Sequence, residues 1–385
     1  MSLEKGFSVN MKYCKKCLQP DTRPNTFFGD DGVCPACTYF EAIRDVDWIE
    51  RVEILKDIFA RRVREAGQFH DCIIGVSGGK DSMRQALWVR DYLGLNPLLV
   101  CLSYPPEQVT ERGVNNLSTL INLGFDVLVS APAPGVWKNL KRDGFDEFTN
   151  SFRSTELALF SCVPQIALKY NIDLILWGEN PGLQLGDMKT LGRTGYDGNN
   201  LRYMNTLTSG KEWMFARGYT DQQLIAYTYP DVEEFLEKDL KIIYLGWFLG
   251  DWSLVNNAMY SSTNGLQIRT DHVCMTGDLF GVTALDEDFT PINQMIKYYK
   301  FGFGRTTDYV NEEIRLGRIT RDEGIRLVKE YDHKCNSEYI KNYCDYLGID
   351  SDFFWDKVRD AANRDLFDVS DDGSINAKFT VGVGL

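Results

Sequence analysis

The chain has 385 residues, enough for one to three domains and for a core that needs no disulfide staples. Apolar residues make up 44% and charged residues 25%, the balance of a globular chain and not of a disordered one. With 42 Lys and Arg against 55 Asp and Glu the net charge is −13, which disfavours a nucleic-acid backbone as partner because phosphate tracking needs clustered cations.

The most apolar run, residues 242–249, is far short of the ~20 residues that a helix needs to cross a bilayer, so no membrane is expected. Glu4, Lys5, Lys12, Lys15 and Lys16 sit among polar residues, with no apolar stretch of a signal peptide. Ten cysteines without such a signal predict a reducing compartment, the cytoplasm, and metal or thiol chemistry.

Residues 1–39 stand apart in composition and read as a separate module. Cys14-x-x-Cys17 is followed, after sixteen residues, by Cys34-x-x-Cys37. Two such knuckles present four thiolates tetrahedrally, the set that a structural Zn²⁺ takes, whereas four free thiols or two redox pairs are the plainer alternative. A closed four-sulfur site has no open coordination position, so its metal folds the module and does not act on substrate. From Phe40 to Ala66 apolar residues (Ile43, Trp48, Val52, Leu55, Ile58, Phe59, Val63) recur at helical spacing, with Asp45 or Asp47 placed to cap a second helix; this predicts a helical linker over 40–70.

Five short apolar runs follow, at 72–76, 98–102, 127–129, 174–177 and 241–245, each reading as a strand buried on both faces. Helical stretches at 82–93, 110–123, 155–170 and 231–239 alternate with them. That alternation predicts an α/β fold with a doubly wound parallel sheet over 71–288, its ligands beyond the carboxyl ends of the strands. The Gly- and Asn-rich stretch 178–220 is too long for a spacer and reads as a functional loop. A helical C-terminal region over 289–385 completes the chain, with helices at 291–301, 308–316, 321–331, 338–347 and 351–362, and Gly317 and Gly348 at helix ends.

The first strand runs into Ser77-Gly78-Gly79-Lys80-Asp81-Ser82 and then a helix. Two glycines let the backbone approach phosphate oxygens, the helix N-terminus offers free N–H groups, and Ser77, Lys80 and Ser82 add donors. Because Asp81 follows the lysine, this is no Walker A loop; an acidic residue there suits a magnesium ligand. Ser-Gly-Gly-Lys-Asp-Ser resembles the signature of the PP-loop ATP pyrophosphatases, and the resemblance covers roughly residues 71–247. It implies a HUP-like, Rossmann-type sheet on which ATP adenylates a carbonyl oxygen, pyrophosphate leaves, and a nitrogen or sulfur nucleophile displaces AMP. It also implies that Lys80, Asp81 and Ser77 carry the chemistry, with Gly78, Gly79 and Ser82 on the phosphates. Ser103 after the second strand would lie near the adenosine. Gly178, Glu179 and Asn180 after the fourth would contact phosphate and metal; Glu179 reads equally as a second magnesium ligand or as a solvated loop carboxylate.

Tyr298-Tyr-Lys300-Phe-Gly302-Phe-Gly304-Arg305-Thr-Thr-Asp308, with the run Glu312 to Glu323, resembles the tail of the N-acetyl sugar amidotransferases of the WbpG and PseA type. These belong to lipopolysaccharide and pseudaminic or legionaminic acid pathways. The opening cysteine pairs match as well, so the resemblance spans nearly the whole chain; it departs at residues 247–252, where a Pro-Trp-Asp-like segment is expected. It implies conversion of an acetamido group on a nucleotide-activated sugar to an acetamidino group, with ATP, Mg²⁺ and Zn²⁺. Lys300 and Arg305 are then anion contacts on the sugar nucleotide or, on the bland reading, exposed charges of a helical tail. His70, His272 and His333 form no glutaminase motif, so ammonia is expected from a separate glutaminase partner. A PP-loop tRNA thiolation enzyme is the alternative. It would need a basic surface and a second thiol pair, and Cys72, Cys101, Cys162, Cys274, Cys335 and Cys344 contain no CxxC.

Overall fold

The computed structural model describes residues 11–62, 68–187, 194–208 and 210–384. Glu4, Lys5 and Val63 lie outside the described residues. Five strands, β1 (Cys72–Val76), β2 (Pro97–Leu102), β3 (Val127–Ser130), β4 (Leu174–Trp177) and β5 (Lys241–Tyr244), form one parallel sheet in the order β3-β2-β1-β4-β5. Ile73 of β1 pairs with Leu98 on one side and Ile175 on the other.

Alternate residues of the central strands enter different cores, as the pleat requires. Ile73, Val100 and Ile175 face one apolar layer, and Ile74, Leu99 and Leu176 the opposite one. Helices cover both faces: α1 (Pro35–Ala42), α2 (Trp48–Ala60), α3 (Lys80–Asp91), α4 (Glu111–Asn122), α5 (Pro134–Phe148) and α6 (Phe152–Tyr170). Leu157 and Cys162 of α6 fill the first layer, Met83 and Leu87 of α3 the second. Asp47 caps α2 by accepting from Ile49 N and Glu50 N. The expectation that all five strands are buried on both faces needs correcting: β3 has a neighbour on one side alone and leaves Val129 exposed, and β5 starts on an exposed Lys241. Helix α5 has no counterpart among the expected elements, because Gly135 and Gly144 dilute its pattern.

After the sheet come α7 (Leu254–Thr263), α8 (Thr290–Phe301), α9 (Arg305–Arg315), α10 (Arg321–Tyr331), α11 (Ser337–Leu347) and α12 (Ser351–Ala361). A hairpin of β6 (Phe367–Val369) and β7 (Ile375–Ala377) ends the fold. Neither α7 nor the hairpin is foreshadowed, since Asn256, Asn257, Ser261 and Ser262 hide the helical period of α7. Gly302, Gly317 and Gly348 all take positive φ at or just past helix ends. The cysteine module docks on this helical region: Leu18 N donates to Asn311 Oδ1 at 2.7 Å, and Arg321 Nε to the Cys17 carbonyl at 3.2 Å. Among the described residues no helix is long and apolar enough to cross a membrane.

Helix α4 is squeezed where its first turn meets residue 286. A Cβ on Gly113 would fall 2.5 Å from Asp286 Cα, closer than any side chain tolerates. Gly113→Ala should therefore cost about 1–3 kcal/mol, seen as a lower denaturant midpoint. Gly135→Ala, in the open first turn of α5, is the control and should be neutral or stabilising.

Candidate active site

From β1 the chain moves outward to β2 and β3, then returns to β4 on the other side of β1. The strand order thus reverses between β1 and β4, and the crevice beyond their carboxyl ends is where such sheets hold ligands. A cavity of about 500 Å³ lies there. Ser77, Gly79, Lys80, Asp81 and Ser82 line it after β1, Gly178 and Glu179 after β4, and Tyr104 after β2. Its far wall is the stretch 282–287 with Thr290 and Arg305.

The turn after β1 is built for close approach. Gly78 has φ +75°, and a Cβ there would lie 3.0 Å from the Gly113 carbonyl. Gly79 is the N-cap of α3 and offers no capping side chain, so the helix presents its N-terminal N–H groups and positive dipole end at the cavity. The helix begins at Lys80, two residues before the expected start, which places Lys80 and Asp81 in its first turn. Lys80 Nζ is 2.8 Å from Asp81 Oδ2, while Asp81 Oδ1 accepts from Asn257 Nδ2 at 2.6 Å. Ser261 Oγ donates to the Lys80 carbonyl at 2.6 Å, so α7 holds the turn from behind. Ser82 Oγ donates to the Gly79 carbonyl at 3.0 Å.

Glu179 shows exposed surface to the cavity yet is ringed by protein. Lost hydration first, and the neighbouring Asp81 carboxylate second, push its carboxyl up to about 7. Two carboxylates that oppose one another's charge fit a divalent cation, and Mg²⁺ would be held between Asp81 and Glu179. Arg305 reaches the cavity from the start of α9 with its buried Nε unpartnered.

Four expected residues are placed otherwise. Lys300 is directed away from the cavity: its ammonium donates to the Phe148 and Thr149 carbonyls at 2.5 and 3.1 Å and ties α8 to the end of α5. Asn180 is 1% exposed; its Oδ1 caps the short helix Pro181–Gln184, and its Nδ2 donates to the Gly246 carbonyl at 3.3 Å. Ser103 donates to the Tyr104 carbonyl, and its neighbours Leu102 and Tyr104 line the cavity in its stead. Gly78 lies under the phosphate turn and is not a lining residue. The departing segment 247–252 is scaffold: the Arg51 guanidinium stacks 3.7 Å from the Trp247 ring, and the Trp252 ring backs Gly178. Residues missed in the sequence include Gln85, 2% exposed with an unpartnered Oε1 at the cavity, and Asn257 and Asp286, for which no motif gives a signal.

Cys14, Cys17, Cys34 and Cys37 converge, their sulfurs all within 4.8 Å of one another and Cys17 Sγ 3.7 Å from Cys34 Sγ. A tetrahedral ion with metal–sulfur bonds of about 2.3 Å sets its sulfurs about 3.8 Å apart. The cluster therefore fits a metal site.

Residues 280–379 match the family model described as LPS biosynthesis protein WbpG-like, C-terminal domain. No curated protein matches the chain. Among solved structures it is similar to an NH3-dependent NAD synthetase from Campylobacter jejuni, with 13% identity and a TM-score of 0.29 over 59% of this chain and 100% of that one. It is similar to an NMN synthetase from Francisella tularensis, with 14% identity and a TM-score of 0.28 over 59% and 100%. The U34-tRNA thiolase NcsA from Methanococcus maripaludis, solved with its 4Fe–4S cluster, gives 13% identity and a TM-score of 0.29 over 87% and 95%. These overall likenesses are weak. The sheet order, with Ser-Gly-Gly-Lys-Asp-Ser directly after its central strand, agrees with the resemblance to the PP-loop ATP pyrophosphatases. Its C-terminal region is similar to the WbpG-like C-terminal domain.

A carboxyl that folding raises from 4.5 to about 7 binds its proton more tightly in the fold. The stability it confers is present below about pH 4.5 and is lost as pH rises to about 7. Without Mg²⁺, the denaturation midpoint of the wild type should fall relative to that of Glu179→Gln across this window. A constant difference would show that the carboxyl is not raised.

Proposed function

We propose that the chain is an ATP-dependent amidotransferase that turns the acetamido group of an N-acetylated, nucleotide-activated sugar into an acetamidino group in surface-glycan synthesis. One observation carries the reading. The Ser77–Ser82 turn and the WbpG-like region line a single cavity, so that turn faces residues 282–287, Thr290 and Arg305, which supports a substrate held between them.

An amide carbon is a poor electrophile, and its oxygen must become a leaving group before nitrogen can replace it. Attack of the amide oxygen on the α-phosphorus expels pyrophosphate and leaves an O-adenylyl imidate; ammonia adds to its carbon and AMP departs. Ser77, the N–H groups around Gly78 and Gly79, Lys80 and Ser82 hold the β- and γ-phosphates as charge develops on them. Mg²⁺ on Asp81 and Glu179 supplies further charge neutralisation when bound. Zn²⁺ on the four cysteines is structural. Ammonia comes from a separate glutaminase partner. None of the ten cysteines is in a disulfide, which supports a reducing, cytoplasmic setting, and the net charge of −13 supports a partner other than nucleic acid.

The test is incubation of the purified protein with Mg-ATP, an ammonium salt and a panel of free and nucleotide-linked N-acetylated sugars. The expected result is AMP, pyrophosphate and a sugar in which NH has replaced the acetamido oxygen, with heavy oxygen placed in that group recovered in AMP. Thiolated tRNA formed with a sulfur donor, and no amidine from any sugar, would overturn the reading. Arg305→Ala should raise the KM of the sugar about tenfold, the size of one charge-assisted hydrogen bond, and leave that of ATP nearly unchanged.

A further inference from the structure

The far wall of the cavity carries a carboxylate that neither the phosphate turn nor the strand ends account for. Asp286 lies on the stretch 282–287, whose backbone is held from several directions. Thr110 N donates to the Asp286 carbonyl at 2.9 Å, and Thr110 Oγ1 and Arg112 Nε donate to the Leu285 carbonyl at 2.8 and 2.9 Å. Arg269, 5% exposed, donates to the carbonyls of Thr283, Ala284 and Glu287 at 3.2, 2.7 and 2.6 Å. Within this clamp Ala284 takes φ +46°, a left-handed conformation that costs about 1–2 kcal/mol for a residue with a Cβ. Such strain persists where surrounding contacts over-determine it, and it concentrates at functional sites.

The two acidic neighbours on this wall have different surroundings. Glu287 is 1% exposed, and its oxygens accept from Phe289 N and Thr290 N at 2.7 and 2.8 Å, fixing the start of α8. Asp286 lines the cavity, with its carboxyl beside the Tyr104 hydroxyl. Its distance from the phosphate turn is set by backbone packing: Gly78 rests on the Gly113 carbonyl, and Gly113 rests on Asp286 Cα. A base fixed in this way faces a substrate held on the phosphate turn without belonging to the phosphate or metal site.

We propose that Asp286 is the base that removes the acetamido N–H proton as the carbonyl oxygen attacks ATP; this rests on the amidotransferase reading. In the first step the oxygen bonds to the α-phosphorus and the bond from that phosphorus to the bridging oxygen breaks, with pyrophosphate leaving. The N–H proton passes to Asp286, and its electron pair becomes the C=N bond of the imidate. In the second step ammonia adds to the imidate carbon while the Asp286 proton moves to the sugar nitrogen. The carboxylate then takes a proton from the added ammonium group, and AMP leaves with the C–O electron pair, giving the amidinium. Burial first, and the Glu287 carboxylate second, push the Asp286 carboxyl up to about 7, against the opposing pull of Arg269 and Arg112, which suits a base working near neutrality. The groups that face it are Tyr104 and Cys101 from the β2 end, Arg112 from α4, Arg269, and Glu287 on its own stretch.

Asp286→Asn keeps the shape and removes the base. With saturating Mg-ATP, sugar and ammonium, kcat for amidine formation should fall on the order of 10²–10³-fold, while ATP affinity by calorimetry stays within about twofold. The acidic limb of the wild-type kcat/KM profile near pH 7 should vanish in the variant, and Asp286→Glu should restore part of kcat. Weakened ATP affinity with kcat unchanged would make Asp286 a nucleoside contact and overturn the proposal. So would a lower kcat with the acidic limb intact, the mark of a structural role. Wild-type protein that forms no amidine would overturn the amidotransferase reading and this step with it, whereas amidine formed equally by wild type and Asp286→Asn overturns this step alone.

Discussion

The Cα atoms of Gly113 and Asp286 meet across a gap with no room for a side chain, and Gly78 rests on the Gly113 carbonyl. Three separate stretches of backbone, the phosphate turn, the start of α4 and the far wall, are stacked at glycine distance. Side chains at such junctions have rotamers and soft torsions, whereas backbone contacts do not yield. The width of the cavity is thereby set by backbone packing, and the groups on its two sides keep a fixed separation. Thr110 strengthens the junction, since it caps α4 through Gly113 N and donates to the Leu285 carbonyl with the same hydroxyl. On the proposed reading, positioning an amide against a phosphorus needs that constancy, because small misplacements are costly when proximity supplies much of the rate.

A second support runs through α9 and gives the cysteine module a place in the site. Arg305 at the start of this helix reaches the cavity, and Glu312 one side further on accepts from Leu254 N at 3.2 and 3.3 Å, at the start of α7. That helix in turn holds Asp81 and the Lys80 carbonyl. At the other end of α9 burial works against the charge of Arg315, but the neighbouring Cys17, Cys37 and Cys34 and the Glu312 carboxylate raise its pKa. The module also seats the loop after β4, where a Cβ on Gly186 would fall 2.6 Å from Ala36 N. The four-cysteine cluster thus stands behind both the loop that carries Glu179 and the helix that carries Arg305.

Much of the sheet was legible because its strands are short, apolar and bounded by turn residues, so 72–76 and 174–177 coincide with β1 and β4. The phosphate turn was legible because a strand–glycine–helix junction is a local pattern. The far wall was not. Asp286, Glu287 and Asp288 belong to no motif, and the burial of Glu287 follows from Arg269 and α8, which lie 18 residues before it and three after it. Lys300 beside paired glycines resembled an anion contact, but its partners are carbonyls about 150 residues away on the α5 terminus. Asn180 follows a strand end as phosphate ligands often do, yet it faces backward and caps a helix. Local patterns reveal local geometry, and at these positions contacts with distant residues (Arg269, Phe148 and Gly246) add what the pattern does not show.

On the proposed reading, the charge balance of the cavity calls for a cation from outside. Asp81, Glu156, Glu179, Asp286 and Glu287 all line it, against Lys80 and Arg305. A triphosphate brought into such a recess meets more negative charge than positive, and helix N-termini supply only about half a charge each. Folding has met the same problem by holding Glu179 and Asp286 near neutrality, where a bound proton takes the place of a counter-ion. On the proposed reading, Mg²⁺ entering with ATP replaces that proton at Glu179, while Asp286 across the cavity stays free to exchange its own. One pair of raised carboxyls therefore divides into a metal ligand and a proton carrier according to which wall each stands on.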